Sequence, residues 1–210
     1  MQIYDLTHYL EDNMTSYSEE EGYFKKESST IDKEGYNVLK ISLSSHTGTH
    51  MDFPRHVFSD GKFLDYFNVE DLIGRAYMIN CKERNIIDLK FILKYKEEIE
   101  ECEYLILNTG YEKYWNDKKY FLNYPRLSYE ASRFLSNIRT LKGIGIDCIS
   151  IDCEDDEKLI NHKNLLKNNK LIIENLCGLD KINSNFKIII APLKIKSGDG
   201  APCRVYGINN

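Results

Sequence analysis

Three of the chain's five histidines fall inside the stretch SSHTGTHMDFPRHVF, at His46, His50 and His56, with Asp52 among them. A packed core has no need of three imidazoles this close together. A metal site does, because neutral imidazole and carboxylate are ligands for zinc, manganese or iron(II). Two imidazoles and a carboxylate leave coordination positions open for water or substrate, the pattern of a catalytic site. No set of four cysteines stands at the spacing of a closed structural zinc site.

The local backbone must bring these residues together. A helix is disfavoured: Gly48 is a poor helix former, Thr47 and Thr49 are β-branched, and Pro54 restricts Phe53. A fully extended strand would spread His46 and Asp52 over about 20 Å, too far for one ion. The segment therefore has to fold back. Gly48 is where the bend costs least, since glycine tolerates positive φ. The expected local structure is a strand, a tight bend at Gly48, and convergence of two imidazoles with a carboxylate. His8, in DLTH near the N-terminus, is read as a surface or hydrogen-bonded residue outside this cluster.

The rest of the chain supplies a mixed α/β frame. VLKISL (38–43), AYMINC (76–81), YLILN (104–108), GIGIDCI (143–149) and KIIIAPL (187–193) read as strands. Their near-continuous apolar character predicts burial on both faces. Apolar residues at 89, 92, 93 and 99 predict a helix over 88–101. Ser128 is placed to cap a second helix carrying Ala131, Phe134, Leu135 and Ile138, and a third is expected around 155–167, carrying His162.

Bulk properties narrow the class. At 210 residues the chain is read as a single domain, able to bury roughly 70% of its unfolded surface without staples. Its net charge of −5 argues against nucleic acid as a partner. No apolar run approaches the ~18 residues of a membrane span, and no secretory leader is seen at the start. Six cysteines without a C-x-x-C pair are read as free thiols, and the expected location is cytoplasmic.

HTGTHMDFPRH resembles the H-x-G-T-H-x-D-x-P-x-H signature of the cyclase-like metal-dependent hydrolase family, which includes bacterial kynurenine formamidases (arylformamidases) and isatin hydrolases. YDLTHYL, LILNTGYEKYW, YPRLSYEASRFL, KGIGIDCISID, HKNLLKNNKLIIENLCGLD and PLKIKSGDGAPCRV resemble further family segments, in the same order along the whole chain. The first motif is specific; the later ones are weak singly and strong together. The resemblance implies a swivelling β/β/α domain with a mixed, barrel-like sheet flanked by helices, and usually a homodimer.

It also implies roles. First-metal ligands fall on His46, His50 and Asp52, bridging carboxylates on Asp52 and Glu174, the second-metal histidine on His162, and proton transfer on His56. One or two Zn²⁺ ions, with Mn²⁺ an alternative, would activate a water for attack on a small-molecule amide. Read without the resemblance, Glu174 after the apolar LII is a buried charge that needs a partner, and His162 would pass for a solvated helix residue. The chain departs from the formamidase pattern beside the expected pocket. MTSYSEEEGYF lacks a Pro–Gly, Tyr17 stands in for the substrate-packing aromatic, and Phe53 replaces a smaller residue. N-formylkynurenine is the leading substrate. A cyclic amide or lactone is the alternative within the family, and a metal-binding domain without turnover is the alternative outside it. Gly198–Asp199–Gly200 reads as a turn.

Overall fold

The strands of the computed structural model, which describes residues 1–209, follow the apolar runs closely. In chain order they are β1 (Gln2–Asp5), β2 (Phe24–Ser29), β3 (Val38–Ser42), β4 (His50–Asp52), β5 (Ile73–Asn80), β6 (Ile86–Ile87), β7 (Tyr104–Asn108), β8 (Arg126–Leu127), β9 (Gly143–Ile146), β10 (Leu171–Glu174), β11 (Asn185–Pro192) and β12 (Gly200–Asn209). The helices are α1 (Ile31–Glu34), α2 (Leu89–Ile92), α3 (Lys96–Glu101), α4 (Tyr129–Ser136) and α5 (Ile160–Leu166).

The main sheet has the order β1-β12-β11-β5-β7-β9-β10-β4, and β12 also pairs with β4. That last pairing closes a seven-stranded mixed barrel, with β1 appended to its rim. The strands β5, β7, β9 and β10 run parallel, and the remaining pairings of the barrel are antiparallel. This is the α/β, barrel-like architecture that the motifs imply.

Every residue of β7 is buried, as a strand covered on both faces requires. Its period of two feeds two cores. Tyr104 and Ile106 point inward to join Met51, Ile173, Ile188 and Val205 inside the barrel. Leu105 and Leu107 point outward to join Ile92, Ile99, Leu135 and Leu165 beneath the helices. Each fully buried aliphatic or aromatic chain contributes about 1.5–3 kcal/mol, so the barrel wall is held from both sides. Ser128 caps α4 as expected, its hydroxyl accepting from Ala131 N at 3.2 Å.

Three expected elements differ. The helix over 88–101 is interrupted: α2 and α3 are separated by a 3₁₀ turn, and Tyr95 takes the non-helical φ/ψ of −115°/21°. Its ring packs on Phe91 and Tyr77, which re-phases the chain while keeping Ile92 and Ile99 buried. The helix carrying His162 begins only at Ile160, because Leu159 is left-handed (φ 50°) and Asp156 holds the preceding turn through Lys158 N and Ile160 N. The strand at Val38 forms, but not as a doubly buried one. It pairs with β2 in a hairpin outside the barrel, and both β2 and β3 are exposed along nearly their whole length.

His8 is not a solvated surface residue either. It stacks on Trp115 at 3.9 Å between ring centroids, and its Nε2 is buried without a hydrogen bond. Burial lowers its pKa from 6.5 to about 4. The unfolded chain therefore binds a proton that the folded chain refuses between those values, and stability falls as pH drops from 6.5 toward 4. His8→Phe keeps the stack and removes the titration. Urea titrations at pH 7 and pH 5 are expected to show a smaller loss of stability for the variant than for the wild type. An equal loss would mean that His8 does not carry this pH dependence.

Candidate metal centre

Strand β4 sets the site. It lies between β10 and β12, with His50 opposite Glu174 and Pro202, and Asp52 opposite Ile172 and Gly200. Alternation sends Met51 and Ile173 into the barrel and turns His50, Asp52 and Glu174 to its outer face. The chain folds back before β4 at Gly48, whose φ is +67°. The Gly48 carbonyl accepts from His50 Nδ1 (2.9 Å) and from Asn175 Nδ2 (2.9 Å), so the bend is tied both to its own histidine and to the end of β10. A Cβ at Gly200 would come within 2.5 Å of His46 Cε1, so only glycine lets the His46 ring lie over β12.

The fold brings His46, His50, Asp52, His162 and Glu174 together. His46 Nδ1 is 2.8 Å from Asp52 Oδ1, and His50 Nε2 is 3.2 Å from the same oxygen and 3.6 Å from Glu174 Oε2. His162 Nε2 is 3.3 Å from both Asp52 Oδ2 and Glu174 Oε1. Of the three ligand-capable groups here, His46–His50–Asp52 and Asp52–His162–Glu174 share the buried Asp52 carboxylate, and the third, His46–His56–Asp199, is half-buried beside them. His56 stands beside them on the 3₁₀ turn Pro54–His56, its ring centroid 4.0 Å from that of His46.

The hydrogen bonds determine which nitrogens face inward. A carbonyl can only accept, so His50 Nδ1 carries its proton toward Gly48 O. His162 Nδ1 likewise points at Asp152 Oδ2, 2.6 Å away. In neutral imidazoles both Nε2 atoms then present lone pairs to the Asp52 and Glu174 carboxylates. Asp52 is fully buried and its Oδ2 has no hydrogen bond despite the nearby His162 nitrogen. Acceptors facing acceptors in a buried space require positive charge between them. The donor set is one that a divalent cation fits, and Asp52 is positioned to serve two such ions.

The electrostatics express the same need. Burial opposes charge on His46, but the Asp199 and Asp52 carboxylates outweigh it and raise the pKa to about 10. Burial also opposes charge on His162, and Glu174, Asp152 and Asp52 raise it well above the usual value. Burial would push Asp52 up, yet the surrounding imidazoles hold it well below the usual carboxylate range. Without a metal the cluster gathers protons; a cation bound here would displace them. His56 behaves differently. Burial and the neighbouring imidazoles lower it to about 4, against one raising contribution from Asp52, so it departs from the ordinary value near 6.5.

The site opens into a cavity of about 350 Å³, large enough for a small molecule. Tyr17 borders it while remaining 71% exposed. Phe53 does not border it. The ring is fully buried inside the barrel against Phe67, and only its backbone serves the site, Phe53 N donating to Asp199 O at 2.9 Å.

Sequence reading missed three contributors. Asp199, in the segment read as a plain turn, puts Oδ2 3.0 Å from His46 Nε2 and 3.8 Å from His56 Nδ1. Asp152 accepts from Asn161 N, His162 N and His162 Nδ1, capping α5 and fixing the His162 tautomer together. Asn175 fastens the Gly48 bend. No N-cap signal marked Asp152, which lies well upstream of Ile160, where α5 begins. None existed for Asn175, whose partners lie far away in sequence.

Comparison with known proteins agrees with this geometry. The model of the family described as "Putative cyclase" matches residues 4–153. The kynurenine formamidase of Bacillus thuringiensis (strain Al Hakam) is 32% identical over 190 residues, covering 90% of this chain and 86% of the relative. Among solved structures, isatin hydrolase A from Labrenzia aggregata superposes with a TM-score of 0.85 at 27% identity, covering 98% of this chain and 93% of that one. A structure described as a potential metal-dependent hydrolase with cyclase activity superposes with a TM-score of 0.83 at 24% identity, over 98% and 96% of the two chains, and shares the fold. The chain belongs to the cyclase family.

Because Asp152 fixes the His162 tautomer, Asp152→Asn is expected to weaken metal binding about 10- to 100-fold while the far-ultraviolet circular dichroism stays native. Titration with zinc against a competing chelator measures it. Unchanged affinity in a folded variant would show that Asp152 serves only to cap α5.

Proposed function

We propose that the chain is a metal-dependent hydrolase of C–N bonds in small amides, with N-formylkynurenine as the leading substrate. The observation that carries this is the pair of ligand groups sharing Asp52 at the floor of a cavity that His56 also lines. His46, His50 and Asp52 would hold one divalent ion, and Asp52, His162 and Glu174 a second. Imidazole and carboxylate donors suit zinc, with manganese an alternative. Such an ion supplies Lewis acidity and lowers the pKa of a bound water from 15.7 to about 7.

The protein's own groups do the rest. Asp152 and the Gly48 carbonyl hold His162 and His50 with Nε2 turned inward. The Asp199 carboxylate lies on the Nδ1 side of His56, leaving Nε2 to face the reacting atoms. Neutral His56 takes a proton from the attacking water and returns it to the departing nitrogen as the C–N bond breaks. For a formamide the products are formate and an amine. Tyr17 lies where an aromatic substrate ring would pass.

Hydrolysis of a cyclic amide is the second reading, favoured by the likeness to an isatin hydrolase. The altered Tyr17 segment sits at the part of the pocket where the two would differ. Assaying N-formylkynurenine beside isatin, with and without added zinc or manganese, separates them.

A cytoplasmic location is supported by cysteines that remain unpaired. A homodimer is supported by the β2–β3 hairpin, which presents Phe24, Val38, Leu39 and Ile41 to solvent on both of its faces. A lone two-stranded hairpin is marginal in water, and a bare apolar one is better accounted for by a partner.

His56→Ala is expected to keep its metal by elemental analysis and to lose about 10²–10⁴ in turnover. Asp52→Ala is expected to lose metal together with activity. Full activity in the first variant, or full metal content in the second, would overturn the assigned role. Leu39→Glu with Ile41→Glu is expected to halve the mass in sedimentation equilibrium without loss of secondary structure. A wild-type protein that sediments as a monomer would remove the homodimer.

A further inference from the structure

The entrance of the cavity carries one sign of charge. Glu21, Glu154, Asp156 and Glu157 border it, and among the described residues no lysine or arginine does. Two of the acids have their carboxylates held by hydrogen bonds. Glu154 Oε2 accepts from Asn123 N at 2.9 Å. Asp156 accepts from Tyr129 Oη at 3.0 Å and from Lys158 N and Ile160 N. The main chain at Glu21 is tied to the loop that carries His46, its backbone carbonyl accepting from Thr47 Oγ1 at 2.8 Å. Two aromatic rings, Tyr17 and Tyr124, share this wall with the apolar side chains of Ile149 and Leu159.

These are the ingredients of cation recognition. Carboxylates of one sign around a cleft raise the local concentration of a positive ligand. Tyrosine faces attract ammonium groups further. The acids are remote in role from the floor, where Glu174 and Asp52 are engaged with histidines. A molecule whose far end is a lone carboxylate meets four acids bordering this cavity and no lysine or arginine among its lining residues, the nearby Lys158 being engaged with Asp156.

We infer that the site selects amides whose far end carries an ammonium or comparable cation, and rejects those whose far end is a lone carboxylate. The inference rests on the hydrolase reading for where the amide sits, and the charge preference is measurable with or without turnover. A zwitterionic substrate would be oriented with its ammonium toward Glu154 and Glu157.

Three matched aryl formamides test it on the zinc-loaded protein: 4-(aminomethyl)formanilide, formanilide and 4-formamidobenzoate, which carry charges of about +1, 0 and −1 at neutral pH. The cationic compound is expected to exceed the anionic one in kcat/KM by about tenfold or more at low salt, with the ratio shrinking toward unity at high ionic strength. Glu154→Gln with Glu157→Gln is expected to cut that cation-to-anion ratio by about threefold or more. A ratio near unity, a preference for the anion, or a ratio that the double variant leaves unchanged would overturn the inference while leaving the hydrolase reading standing. If none of the three is hydrolysed, that counts against the formamidase reading. Dissociation constants of the same compounds, measured by calorimetry in wild type and double variant, then decide the charge preference on the same criteria.

Discussion

A buried carboxylate that cannot be satisfied by its neighbours is the constraint around which this structure is arranged. Asp52 is fully buried, and one of its oxygens has no hydrogen bond. His46 reaches its Oδ1, but His50 and His162 in their neutral forms turn lone pairs toward it, because their other nitrogens are committed to a carbonyl and to Asp152. Such an arrangement has no stable neutral form. It must take up protons or a cation, and the geometry favours a cation since two ligand groups meet at the same carboxylate.

The barrel explains how so many polar groups come to be held beside an apolar core. Strand β4 is only three residues long, yet it closes the ring by pairing with β10 and β12 at once. The residue facing inward, Met51, anchors that closure inside the barrel; the residues facing outward, His50 and Asp52, are the proposed ligands. Closure of the sheet and assembly of the site are therefore one event. The Gly48 bend joins the two, since its carbonyl receives both His50 and Asn175. A disturbance of packing around Met51 would be felt at His50 and Asp52 through a backbone shift of one residue.

What was legible in the sequence divides along the same line. Local requirements could be read directly. A glycine had to permit the fold-back between His46 and Asp52, Ser128 had to cap a helix, and near-continuous apolar runs had to become strands, buried in every case but the one at Val38. Long-range partners could not. Asp152 reaches His162 only because a left-handed Leu159 delays the helix, and Asp199 reaches His46 across a sequence separation that no periodicity encodes. Phe53 misled for a related reason. Its departure from the smaller residue of the formamidase pattern suggested the pocket wall, but its side chain turns into the barrel, and which face a residue takes at a strand end is set by tertiary packing. The hairpin misled in the opposite sense, since an apolar run marks a surface that seeks cover without saying whose core will provide it.

The metal chemistry and the choice of substrate thus reside in different parts of the molecule. The proposed ligands sit on β4, β10, α5 and the bend that leads into β4, where pairing register and helix capping leave little freedom. The mouth is built from the segments around Tyr17, Glu21, Tyr124 and Glu154–Glu157, which lie outside the barrel strands. Side chains there can change in charge or shape without disturbing the closure that forms the floor. A family resting on such a division would keep one hydrolytic centre while its members diverge in the amide they accept. In this chain the proposed selectivity lies at the acidic mouth and the proposed metal chemistry at the histidine cluster.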